Sequence, residues 1–261
     1  MKKVFISILI TNYNKSRFLK KALQNVCNQN FKNYEIILFD DSSSDNSLKI
    51  IDKFKKVNLI QNKKKLKKTG PLNQISGILK AFQKSKGDII CLMDADDFFN
   101  LNKLKKVCHF FKQNNNLNSV FDFPICRKDQ FSFRIKKDDL SIWPSIFPTS
   151  CISTRREFFK RFIKHIKKNN FQNLEIDARL IIFSKFYYDE YNTLKSKLTI
   201  YNFDSQGITS KVSYFSKNWW LRRKQAFSYM SYILKLKNKK IKKGYDFYLT
   251  SIISFFLKKL S

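Results

Sequence analysis

Met93-Asp94-Ala95-Asp96-Asp97 sets three carboxylates directly behind Asp88 to Met93, an apolar run that reads as a buried strand. Alternate residues of a strand share a side, so Asp94 and Asp96 can converge on one point at the strand's end. Two acids converging there repel each other unless a cation sits between them, and Asp97 follows as a further ligand or a support. The alternative is a solvated acidic turn. Against it stands the scarcity of acids, 20 Asp and Glu against 52 Lys and Arg.

Positioning such a group is the task of the elements around it. Val4 to Ile10 reads as a first strand, and Ser16 as the cap of a helix with Phe18, Leu19, Ala22, Leu23 and Val26 on its apolar face. Tyr34 to Phe39 is a second strand, Ser44 or Asp45 caps a second helix through Leu48, Ile51 and Phe54, and Val57 to Ile60 is a third strand. A helix through Ile75, Ile78, Leu79 and Phe82 then leads into the strand at 88–93. This alternation calls for a mostly parallel sheet covered by helices on both faces, with ligands at the carboxyl ends of the strands. Three polar clusters fall at those ends: Thr11 to Asn14, Asp40 to Ser44, and Asp94 to Asp97.

Beyond Asn100 the order changes. A helix from Leu101 to Phe111 precedes expected strands at Ser119 to Phe123 and Gln130 to Ile135, and a basic helix follows from Arg155 to Lys168. Leu174 to Phe186 has helical spacing, Leu198 to Tyr201 reads as a short strand, and helices rich in Lys and aromatics run from Val212 onward.

Four segments in order, Ser7 to Asn14, Leu19 to Gln29, Tyr34 to Asp45 and Gly87 to Asp97, resemble the family 2 glycosyltransferases of the GT-A fold. The resemblance implies an α/β, GT-A-like catalytic domain over residues 1–205, with a nucleotide-binding half (1–100) and an acceptor half (101–205). A basic, aromatic-rich helical appendage (206–261) completes the chain. It also implies transfer of a sugar from a nucleotide-sugar donor to a hydroxyl of a glycan, lipid-linked or other acceptor, with inversion, in cell-surface polysaccharide or glycoconjugate synthesis.

By the same resemblance Thr11, Tyr13, Asp40 and Asp41 form the nucleotide pocket. A hydroxyl and an aromatic face suit a flat base, Asp41 can accept from a base N–H, and Asp40 helps hold the turn. The alternative for Asp40 to Asp45 is a turn and helix cap. Asp94 and Asp96 resemble the DxD pair, for Mg²⁺ or Mn²⁺ shared with the diphosphate, and Asp97 is a further ligand candidate. The catalytic base falls to Asp177, with Glu175 as second candidate, because Leu174 to Leu180 is the one segment of the second half with acids ahead of an amphipathic helix. Family members often carry an Arg after the third strand. Here Asn73 and Gln74 stand there, so Lys67, Lys68 or the Arg222-Arg223 pair inherits the diphosphate role.

Composition bounds the rest. The chain has 261 residues, a formal charge of +32 and 27 Phe, enough apolar mass for a sizeable core. Nine Arg against 43 Lys, with few Gly and Pro, looks like the codon bias of an AT-rich genome, so the charge by itself selects no partner. Nucleic-acid binding would need the lysines gathered on one stripe, and they are spread along every helix. A nucleotidyltransferase would need a glycine-rich loop after the first strand, and Thr11 to Arg17 has no glycine. A non-catalytic GT-A-like protein remains the other alternative. Five scattered cysteines point to free thiols in a reducing compartment. A cytoplasmic protein is expected, peripheral on the membrane face if Tyr245 to Leu260 lies on anionic lipid; the same apolar stripe also suits a helix packed on the core.

Overall fold

A computed structural model of the chain describes residues 3–64, 68–126, 142–167, 170–202, 204, 207 and 212–259. Strand β1 (Ile6–Asn12) leads to helix α1 (Ser16–Cys27), β2 (Tyr34–Asp40) to α2 (Ser47–Ile51), and β3 (Val57–Gln61) to α3 (Gly70–Lys84), before β4 (Ile89–Asp94). These strands pair in parallel in the order β3-β2-β1-β4, so the direction of winding reverses between β1 and β4. A reversal of that kind opens a crevice at the carboxyl ends of the two strands. Ile6, Ile8, Leu9 and Ile10 are fully buried, as a strand covered on both faces requires.

The second half extends the same sheet. β5 (Phe98–Phe99), α4 (Lys103–Gln113) and β6 (Ser119–Cys126) precede a single 3-10 turn at Thr149–Cys151 and β7 (Ile152–Arg155). Then come α5 (Arg156–His165), α6 (Ile176–Tyr187), β8 (Thr193–Tyr201), α7 (Lys217–Lys235) and α8 (Tyr245–Lys259). The sheet of eight strands runs β3-β2-β1-β4-β7-β6-β8-β5, with β7 antiparallel to both neighbours and β5 antiparallel to β8. The α/β class and the parallel first half are as the sequence implies. The short strand expected at 198–201 is the end of a longer one beginning at Thr193. The strand expected at Gln130 to Ile135, like Lys67, lies outside the described residues.

Two apolar cores flank the sheet. One holds α1, α4 and the Ile6, Ile8 and Ile10 side of β1; the other holds α3, α5, α6 and α7, with Ala226, Phe227, Tyr229, Met230 and Ile233 of α7 fully built in. Helix α3 lies tight on the strand tips. A Cβ at Gly77 would come within 2.5 Å of the Phe39 ring and 3.1 Å of the Thr11 methyl, so only glycine admits that approach.

Ser16 is not the cap of α1. It is the first helical residue, and its backbone N–H donates to Asp45 Oδ2 at 2.8 Å, while Asp45 Oδ1 accepts from Ser47 N–H at 2.9 Å. One carboxylate therefore serves the starts of both α1 and α2. Although burial acts against ionisation, the hydrogen bonds from Ser47 and Ser16 hold this carboxyl below the usual range.

Candidate active site

The register brings the three polar clusters together: Asn12 lies opposite Asp40 across β1 and β2, and Thr11 opposite Asp94 across β1 and β4. Asp40 is fully buried and accepts from Asn12 Nδ2 (2.7 Å), Ser43 N–H (2.8 Å) and Ser43 Oγ (2.6 Å), so it fixes the turn. That turn passes through Ser42 in the left-handed region, φ 61°. Asp41 is bound to Asn62 Nδ2 at 3.0 Å through one oxygen, and Tyr13 is 39% exposed just past the end of β1.

Asp94 closes β4, partly exposed, and Gln74 Nε2 of α3 donates to its Oδ1 at 2.8 Å. Gln74 thus reaches the acids from the helix where the resemblance implies an arginine. Burial, and then the charge of Asp96, raise the Asp94 carboxyl to about 7. Asp97 is a different kind of residue from its neighbours. It is fully buried, accepts from Ser150 Oγ (2.5 Å) and Asn202 N–H (2.9 Å), and is pushed well above the carboxylate range by burial and by Asp96. Both of its oxygens are committed to holding the loop.

Behind the loop stands a buried charge. Lys103, with no exposed surface, places Nζ on Asp122 (2.7 Å), on Thr199 Oγ1 (2.7 Å) and on the Ser150 carbonyl (2.5 Å). Ser150 Oγ in turn accepts from Asp94 N–H at 2.9 Å and donates to Asp97. A buried ion pair with every other donor and acceptor engaged holds its geometry closely. Residues of α4, β6, β8 and the 3-10 turn therefore aim the acids that β4 carries.

In front of the loop Lys15, the residue before α1, bridges Asp96 and Asp204 at 2.5 Å each. Burial works against its charge, but Asp96 and Asp204 outweigh it and keep the ammonium firmly protonated. The bridge joins residues 189 apart in the chain. Nothing among 43 lysines singles out Lys15, whereas Asp204 does carry a signal, since beyond residue 190 the only acids are Asp204 and Asp246.

Opposite the strand tips, α6 begins with Glu175 in the capping position and Asp177 in its first turn. Glu175 is buried and its Oε2 meets Arg222 Nε at 2.7 Å. Asp177 is partly exposed and accepts from Ala178 N–H at 2.6 Å; burial and the nearby Glu175 raise it to about 7, against the pull of Arg222. Asp177 also acts on Asp94 electrostatically, which sets the first turn of α6 within reach of the end of β4. Tyr201, at the end of β8, has its hydroxyl raised by burial and by Asp97, Asp94, Asp96 and Asp177 in turn, which places it among the same acids.

The loop ahead of α6 is shaped by Arg179. This side chain has no exposed surface and donates to the carbonyls of Leu174, Ile166, Lys167, Asn170 and Phe171. The two arginines expected at the diphosphate part company: Arg222 neutralises Glu175, while Arg223 turns to α8, meeting Asp246 at 3.1 Å and Thr250 at 2.9 Å over the ring of Trp143. Arg223 ties two helices together because its long planar group fits between Trp143, Trp219 and Asp246.

The family model described as Glycosyl transferase family 2 matches residues 7–189. A glycosyltransferase of Haemophilus influenzae is 33% identical over 124 residues, 46% of this chain and 48% of that protein. The minor teichoic acid biosynthesis protein GgaA of Bacillus subtilis is 35% identical over 119 residues, 43% of this chain and 26% of its own length. The chain thus aligns with about half or less of these curated relatives. In three dimensions the likeness is broader. Staphylococcus aureus TarS 1-349, solved with UDP-GlcNAc, superposes over 96% of this chain and 70% of that one, with TM-score 0.64 at 14% identity. The mannosyltransferase PcManGT of Pyrobaculum calidifontis, solved with GDP-Man and Mn²⁺, covers 97% of this chain and 70% of its own, with TM-score 0.61 and 14% identity.

Proposed function

The chain belongs to glycosyl transferase family 2, and from that premise we propose that it moves a sugar from a nucleotide-sugar donor to an acceptor hydroxyl, with inversion at the sugar carbon. The observation that carries the reading is the convergence, at the reversal between β1 and β4, of Asp94 and Asp96, with Asp177 of α6 close enough to act on Asp94. A cell-wall or cell-surface polymer is the acceptor class favoured, since GgaA and the poly(ribitol-phosphate) β-N-acetylglucosaminyltransferase TarS are among the relatives.

The donor set fits a divalent cation. Asp94 and Asp96 are hard oxygen ligands, and burial, followed by the charge of Asp96, raises the Asp94 carboxyl, a cost that a bound cation would relieve. Among the described residues no group of three or more His, Cys, Asp and Glu is arranged to hold a metal ion, so the diphosphate oxygens would complete the shell. Bound there, Mg²⁺ or Mn²⁺ would offset the negative charge building on the nucleoside diphosphate as it departs. Lys15 must release Asp96 for this to occur. Lys15→Met is therefore expected to bind Mn²⁺ about tenfold more tightly in the absence of donor, read by titration calorimetry; unchanged or weaker binding would contradict it.

The chain's own residues account for the remainder. Asp41 accepts from the base and Tyr13 lies along its face, with Asp40 and Gly77 setting the distance between the tips and α3. Asp177 takes the proton of the acceptor hydroxyl as its oxygen attacks the sugar carbon. The electron pair of the broken bond leaves on the diphosphate. Burial raises the Glu175 carboxyl and Arg222 opposes that rise by pairing with it, which commits Glu175 to Arg222 and leaves the other acid, Asp177, as the base.

A base protonated near 7 has a visible consequence. Below that pH Asp177 carries a proton and cannot accept one, so kcat/KM should fall about tenfold per pH unit there, and Asp177→Asn should lose this limb. Stability should move the other way. Between the ordinary 3.8 and about 7 the folded carboxyl binds the proton that the unfolded chain releases, so the protein without donor or metal loses stability as pH rises through that window. Thermal melts at about pH 5 and about pH 8 check it.

The donor is identified by screening UDP-, GDP- and dTDP-sugars for thermal stabilisation with and without Mn²⁺. A donor that stabilises the protein with Mn²⁺, and ceases to with Asp96→Ala, supports the reading. Stabilisation by none of them, with no donor hydrolysis, removes it.

A further inference from the structure

Helix α8 is mounted with its apolar side outward. Thr250 and Ser254 are buried against α7, Thr250 under Arg223 and Ser254 against the Trp220 carbonyl, while Tyr248, Ile252, Phe255 and Phe256 are all more than half exposed. Spaced at 248, 252, 255 and 256, these four form one continuous stripe along the helix. A helix that only completes a globular core shows the reverse pattern. The apolar stripe expected over Tyr245 to Leu260 is in fact divided, with Phe247 packed on Phe227 and Ile252 and Phe256 facing solvent. Phe215, 72% exposed, lies tilted against Trp219 and Trp220, and the Trp220 carbonyl meets Ser254 of α8.

The surroundings of the stripe choose its partner. Residues 206–261 contain 13 Lys and Arg and a single acid, Asp246, which Arg223 already neutralises. Lys239, Lys240, Lys242 and Lys243 of the connector before α8 are exposed, and none of them forms an ion pair among the described residues. A second copy would have to bring an equally basic face against this one, which charge repulsion opposes. No described helix is long and apolar enough to cross a membrane. Aromatic and aliphatic side chains beside a run of lysines suit a surface that is apolar below and anionic above.

We propose that α8 and the Lys239–Lys243 connector seat the protein on an anionic lipid surface, with Tyr248, Ile252, Phe255 and Phe256 entering the headgroup boundary. The proposal is independent of the reaction assigned above. The test is co-sedimentation of the full chain with vesicles of phosphatidylcholine alone and of phosphatidylcholine with phosphatidylglycerol. Binding to the anionic vesicles at least about tenfold tighter than to the neutral ones, and weakening with salt, is the expected result. Phe255→Ser with Phe256→Ser should lose about tenfold or more of that binding, and Lys239→Glu with Lys240→Glu most of the anionic preference, both with unchanged melting temperature and donor stabilisation. Absence of binding to anionic vesicles, or a serine double variant that binds like the parent, overturns it. So does a dimer in velocity sedimentation that the serine variant converts to monomer, since a second copy would then own the face.

Discussion

Asp177→Asn is expected to lower kcat about 1,000-fold while leaving Mn²⁺-dependent donor binding nearly intact. The amide keeps the size of the side chain and its contact with the start of α6, but it cannot take a proton from the acceptor. Asp177 is partly exposed and raised to about 7, whereas Glu175 is buried against Arg222, and on the proposed reading the first is the base and the second a counter-charge. Glu175→Gln should therefore cost far less in kcat and show mainly as weaker stability, because Arg222 loses its charged partner. Rate measurements on both variants decide the matter. If Glu175→Gln abolishes turnover and Asp177→Asn does not, the roles are reversed.

The second large effect belongs to Asp94→Asn and Asp96→Asn, each expected to reduce transfer by about 1,000-fold and to remove the Mn²⁺ dependence of donor binding. Asp97→Asn is the informative contrast. Its carboxyl is enclosed by Ser150 and Asn202 and answers to the fold, so an amide there turns a donor against a donor and should cost about 1–3 kcal/mol of stability, read by urea denaturation. A calorimetric titration with Mn²⁺ separates the residues: loss of binding at positions 94 and 96 with a normal melt, against a lowered melt at 97.

The first half of the molecule was legible because its rules are local. Apolar runs of five to seven residues end in Asn12, Asp40 and Asp94, helical periodicity fills the gaps, and parallel crossovers then force those ends side by side. The second half resisted for physical reasons. β7 is only four residues long and enters the sheet antiparallel between β4 and β6, a choice made by distant partners and not by its own composition. β8 begins with Thr193-Leu194-Lys195-Ser196-Lys197, whose lysines read as loop although the alternate residues face the sheet. Caps misled for a similar reason, since Asp45 outbids Ser16 from across the structure. Within the site, the acids of β4 stood out from the sequence, but the groups that orient or neutralise them, Lys15, Ser150, Asn202 and Lys103, are ordinary residues made significant by tertiary contact alone.

The buried Lys103 pillar has an evolutionary and practical corollary. The segments by which the chain resembles the family all sit before residue 100, which invites treatment of that stretch as a portable cassette. Yet the hydroxyl that clasps both Asp94 and Asp97 comes from Ser150, the carbonyl beneath it rests on an ammonium from α4, and the final clasp on Asp97 arrives from Asn202. Chimeras that splice a donor-binding half from one relative onto an acceptor half from another must carry Lys103, Ser150 and Asn202 across as a unit, or the grafted acids will have no fixed aim.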